Sequence, residues 1–125
     1  MNRLVTFSGY MLSKSRLLRN AFTKINRSYR IVYYHIISDD KYDYYFNNSI
    51  TVNEFEDQIK YFKRNFIVIS VEEAILKYQN GESLDGYLSI TTDDGFAGNY
   101  NITAPILLEN KMTSTMFITT KFIDN

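Results

Sequence analysis

Cysteine is absent from the 125 residues, so the chain can build neither a disulfide framework nor a thiolate metal site. Histidine occurs once, at position 35, and any metal held by these residues must rely on carboxylates and that imidazole. Tryptophan is absent, and proline occurs only at position 105. Long apolar runs are missing too. The uncharged run over residues 4–13 is far short of the roughly 20 residues a membrane span requires. It also lacks the extended apolar region and small-residue cleavage site of a secretory signal. The compartment is left unassigned, with the cytoplasm or the periphery of a membrane as the expected settings.

Acidic residues are missing from the first thirty positions, which hold Arg3, Lys14, Arg16, Arg19, Lys24, Arg27 and Arg30. The rest of the chain carries all fourteen acids against seven bases, so a net charge of zero conceals a basic leader and an acidic body. Within the leader, Leu17, Leu18, Ala21, Phe22 and Ile25 fall on one helical stripe. Residues 1–29 therefore read as a basic amphipathic segment, suited to an anionic membrane surface. A packed helix with solvated bases explains the same pattern. Nucleic acid is not an expected partner.

What is present beyond residue 30 is ordinary for a folded domain, and the length suits one domain with one core. Residues 30–37 (RIVYYHII) are β-branched and aromatic, the pattern of a strand buried on both faces, with His35 near its end. The polar, Tyr-rich residues 38–48 read as a loop. Thr51 and Glu54 have capping-box spacing, followed by a Phe55, Ile59, Phe62 stripe and by Lys60, Lys63 and Arg64 toward the helix end. Residues 66–69 (FIVI) form a short strand. Ser70 and Glu73 repeat the capping box, Val71, Ala74, Ile75 and Tyr78 form the expected inner face, and Gly81 ends the helix. After a strand leading to residue 94, residues 99–110 read as a helix that effectively begins near Thr103, because Pro105 is tolerated only in a first turn. Residues 115–119 (TMFIT) form the last strand. Strands alternating with helices predict an α/β fold with a parallel sheet, either open and doubly wound or part of a barrel.

The central strand carries the chemistry. Residues 88–96 (LSITTDDGF) run from apolar and β-branched positions into two adjacent carboxylates and a glycine. Adjacent side chains on a strand point to opposite faces, so Asp93 and Asp94 divide between two roles unless the strand bends there. Gly95 supplies the turn. A plain Asp-Gly turn accounts for the same residues. Functional groups of parallel α/β folds gather at the C-terminal ends of strands, where the pair and His35 both fall.

These residues resemble the polysaccharide deacetylases with a NodB-homology domain, carbohydrate esterase family 4. The family motif Thr-Phe-Asp-Asp-Gly stands here as Thr91-Thr92-Asp93-Asp94-Gly95. Val32-Tyr33-Tyr34-His35-Ile36 is similar to the Tyr-His strand that opens many such domains. The Phe55 to Glu73 segment, Ala104-Pro105-Ile106-Leu107 and Thr115-Met116-Phe117-Ile118 follow the family pattern in order and spacing. The likeness covers residues 30–125 and implies the N-terminal half of a distorted (β/α) barrel. It implies metal-dependent removal of N-acetyl groups from an N-acetylhexosamine polysaccharide, with Asp93 as general base and Asp94 as ligand to zinc or another divalent metal. Such a metal lowers the pKa of its bound water and polarises the acetamide carbonyl, while the carboxylate takes the proton. His35 is expected to be a structural residue or to line the pocket, where it could touch substrate, rather than to bind metal.

Two departures stand out. The motif phenylalanine is Thr92, a change of packing. The family's His-x-x-x-His, which supplies the other metal ligands, does not occur in the 125 residues. One carboxylate without that pair falls short of the three protein ligands of a catalytic zinc. The expectation is therefore a partial deacetylase domain, truncated at the C-terminus and inactive by itself. The alternative is an inactive remnant or a carbohydrate-binding or interaction module. A haloacid-dehalogenase-type phosphatase is set aside, because its nucleophile position is Thr92.

Overall fold

A computed structural model describes residues 28–39 and 49–122. The expected amphipathic helix, with its membrane-facing reading, and most of the 38–48 loop lie outside the described residues.

The longest strand, β5 (Tyr87–Asp94), is the axis of the sheet. Along one edge it pairs with β1 (Arg30–Tyr34), from Arg30 opposite Leu88 to Tyr34 opposite Thr92. Because β1 occupies that edge, the other is shared by two strands in succession. There β4 (Ile67–Val68) lies beside Tyr87 and Leu88, and β6 (Thr115–Ile118) lies beside Thr91 to Asp94. Every pairing is parallel, so the expected α/β architecture is what the chain adopts.

The expected single strand over residues 30–37 is instead two. It breaks at His35, and β2 (Ile36–Ile37) leaves the main sheet to pair in parallel with β3 (Ser49–Ile50). Two residues are too few to show a periodicity, which is why β3 escapes a sequence reading.

Helix α1 (Val52–Asn65) starts as its sequence requires. The Thr51 hydroxyl accepts the Glu54 N–H and the Glu54 carboxylate accepts the Thr51 N–H, the reciprocal capping box. Phe55, Ile59 and Phe62 face inward. Helix α2 (Val71–Gln79) is capped by the Ser70 hydroxyl, and it ends in a Schellman motif. There Glu82 N–H reaches the Lys77 carbonyl, Gly81 N–H reaches Tyr78, and Gly81 takes φ 75°.

The inner face expected for α2 is corrected: of Val71, Ala74, Ile75 and Tyr78, only Ala74 is buried, while Ile75 and Tyr78 are exposed. The stripe that meets the sheet is Val71, Ala74 and Lys77. Val71 N–H donates to the Thr115 hydroxyl, and the Lys77 ammonium lies over the Tyr87 ring, 5.5 Å from its centroid. A lysine stem covers apolar surface while its head stays wet, so counting Lys77 as purely polar rotates the predicted face.

The segment over residues 99–110 is helical, but not uniformly. Asn99–Thr103 is a π-helical stretch closed by Ala104 N–H to the Asn99 carbonyl, and α3 (Ala104–Glu109) follows with Pro105 in its first turn. Proline has no N–H for the ladder, and the wide turn ahead of it removes the need for one.

The core lies on one face of the sheet, where Tyr34, Ile37, Leu88 and Ile90 meet Phe55, Ile59 and Phe62 of α1 and Leu107 of α3. Tyr34 packs edge-on against Phe55 at 5.0 Å and donates its hydroxyl to Gln58 Oε1 at 2.5 Å. Burial pushes the Tyr34 phenol well above its ordinary 10.0. Above that pH the unfolded chain loses a proton that the folded chain keeps, so this contribution is whole below about pH 10 and is lost as pH rises further. We expect Tyr34→Phe to cost about 1 kcal/mol at pH 8 through the lost hydrogen bond. The gap in thermal midpoint between variant and wild type should narrow between pH 10 and 11. A constant gap would mean that the phenol is not buried in solution.

Candidate active site

Strand β5 ends by bending. Asp94 takes a left-handed backbone (φ 67°), Gly95 follows at φ 74°, and Gly95 N–H closes back on the Asp93 carbonyl at 2.9 Å. This is the rarer, strained form of the three-residue γ-turn, and strain of this kind collects at functional sites. Aspartate tolerates the left-handed region better than most residues. Gly95 is required twice over: its φ disfavours a side chain, and an added Cβ would lie 2.8 Å from Ile118 Cγ2.

The bend changes what the acid pair can do. On a straight strand Asp93 and Asp94 would face apart. Instead His35 Nε2 lies 3.9 Å from Asp93 Oδ2 and 3.9 Å from Asp94 Oδ2. Both carboxylates therefore meet one imidazole, and the expectation of opposite faces gives way to its stated exception. His35 gets there because β1 and β5 run in parallel register and β1 breaks at that residue. Tyr33 stands edge-on to the His35 ring at 5.8 Å.

The three groups are partly open to solvent: the side chains of His35, Asp93 and Asp94 are 26%, 29% and 42% exposed. A small polar molecule can therefore reach them without displacing core. Chemically, the cluster offers two carboxylates able to take a proton beside an imidazole able to donate or accept a hydrogen bond.

Two further residues are hydrogen-bonded to this arrangement, and neither is visible as a motif. Asn99, almost fully buried, donates its amide to the Asp93 carbonyl at 3.3 Å. Thr119 donates its hydroxyl to Asp94 Oδ1 at 3.2 Å. The sequence signal for both is only position, a polar residue just after a turn and another just after a strand.

Thr92, in place of the motif phenylalanine, is buried and its hydroxyl has no hydrogen-bond partner among the described residues. Its partner in register is Tyr34, on the face that α1 covers. The substitution thus alters packing behind the site, away from the carboxylates.

The metal expectation fares differently. Among the described residues, no group of three or more histidine or carboxylate side chains is arranged to hold a metal ion. Asp94 and His35 are suitable donor types, but catalytic zinc takes three protein ligands and an open position. The described residues do not fit a complete metal centre.

Comparison with known proteins bears on the fold. No protein-family model and no curated protein sequence matches the chain. Among solved structures, a de-N-acetylase from Aggregatibacter actinomycetemcomitans is similar over 78% of this chain and 39% of its own, with 25% identity and a TM-score of 0.67. The chain carries part of a polysaccharide deacetylase-like fold. The Streptococcus pyogenes deacetylase PplD, solved in complex with acetate, shares that fold over 76% of this chain and 44% of its own, at 23% identity and a TM-score of 0.66. The chain thus spans about two fifths of the length of these structures. That partial coverage is consistent with the N-terminal half of a barrel. No helix among the described residues is long and apolar enough to cross a membrane.

Proposed function

We propose that this deacetylase-like chain contributes the acid-pair half of a de-N-acetylase active site that acts on an N-acetylhexosamine polysaccharide. The observation that carries the reading is the meeting of His35, Asp93 and Asp94 at the C-terminal ends of adjacent parallel strands. In this reading Asp93 takes the proton from the attacking water, and Asp94 is the carboxylate this chain offers to a divalent metal. His35, beside both, is placed to line the pocket and contact substrate. The similarity to deacetylase structures supports the reaction class, and the bent, half-open acid pair supports the assignment of residues.

With one histidine in 125 residues, a metal site with a histidine pair needs donors from outside these residues. The test is acetate release from N-acetylated chito-oligosaccharide by the polypeptide that carries this stretch. Activity lost to a chelator and restored by zinc is the expected result. A folded polypeptide that releases no acetate with any added divalent metal would overturn the reading in favour of an inactive remnant or a carbohydrate-binding module. The incomplete donor set among the described residues is the observation on that side.

A further inference from the structure

Asp94 has two carboxylate oxygens with different surroundings. Oδ1 accepts the Thr119 hydroxyl at 3.2 Å, whereas Oδ2 is the oxygen that faces His35 Nε2 at 3.9 Å. Thr119 reaches that point by strand register. Ile118 is opposite Asp94 in the β5–β6 ladder, so the next residue lies beside the bend. The same strand end is seated against the turn, since Ile118 packs where a Gly95 side chain would otherwise stand.

We propose that Thr119 is a positioning residue that holds the Asp94 carboxylate in the orientation offering Oδ2 to the site. Asp94 needs such a restraint because its side chain is 42% exposed and sits on a left-handed residue. Without a partner on Oδ1, a carboxylate open to water turns freely about its side-chain torsions and gives up the approach to His35. A hydroxyl donor suits the task, because it satisfies one oxygen without neutralising the charge on the other. The inference rests on reading Asp94 as a site residue, but not on which reaction the site performs.

The 125-residue chain makes the test clean, because these residues hold one imidazole. The Hε1–Cε1 cross-peak of His35 is recorded at one fixed pH for wild type, Asp94→Asn, Thr119→Val, Thr119→Ala and Thr119→Ser, with folding checked by circular dichroism. Asp94→Asn should displace the peak and so calibrate its sensitivity to the carboxylate. Thr119→Val, which keeps size but loses the hydroxyl, should displace it comparably. Thr119→Ser should return it to the wild-type position, and Thr119→Ala serves if the valine variant does not fold. A wild-type peak in a folded hydroxyl-free variant overturns the proposal. So does a serine variant that behaves like valine, or an Asp94→Asn peak that does not move. Absence of acetate release would sink the deacetylase reading and leave this measurement untouched.

Discussion

In an acetate-releasing polypeptide that carries this stretch together with the remaining metal donors, replacing Asp93 by asparagine is expected to lower acetate release by roughly 10²–10⁴-fold, the range that a positioned general base contributes. Asparagine has nearly the same size and keeps an oxygen near His35. The backbone carbonyl that accepts Gly95 N–H and the Asn99 amide is unchanged. The turn should therefore persist, and what is lost is the ability to take a proton. Initial rates on N-acetylated chito-oligosaccharide, with thermal midpoints measured alongside, separate chemistry from folding. A folded Asp93→Asn protein with near-wild-type rates would remove Asp93 from the base role.

The largest effect on stability is expected from Phe55→Ala. Phe55 is fully buried on α1, stacks edge-on with Tyr34, and stands at the centre of the cluster joining α1, β1, β5 and α3. Removing a buried aromatic ring loses its transfer free energy and leaves a cavity, for about 3–5 kcal/mol. Domains of this size are stable by only about 5–15 kcal/mol, so most of the margin goes. Chemical denaturation should show the midpoint falling sharply at an unchanged slope. A loss below about 1 kcal/mol would mean that the core collapses around the gap far better than buried aromatic sites do.

Several features were legible because they depend on near neighbours in the chain. Thr51 with Glu54, Ser70 with Glu73, and Gly81 after α2 mark helix ends through contacts three to five residues long, and all three ends are found where expected. The reciprocal box forms at Thr51, whereas at Ser70 only the hydroxyl half of the cap is present. The Phe55, Ile59, Phe62 stripe is legible for the same reason, since one helix face repeats locally. The inner face of α2 is not legible locally because Lys77 packs by its stem, which depends on where Tyr87 lies in the folded sheet.

By itself, the sequence determined that β5 would run into Asp93, Asp94 and a turn at Gly95, and that parallel strands would place this end where sites form. It carried the residue types of the chemistry and the single imidazole. Only the tertiary structure decided that the pair converges, because the left-handed Asp94 is stabilised by contacts far along the chain: Ile118 against Gly95, Thr119 on Asp94, and His35 delivered by the break in β1. Those partners are separated by 23 to 59 positions in sequence, so no local pattern encodes them. A turn's conformation belongs to its neighbours in space, whereas a helix cap belongs to its neighbours in the chain.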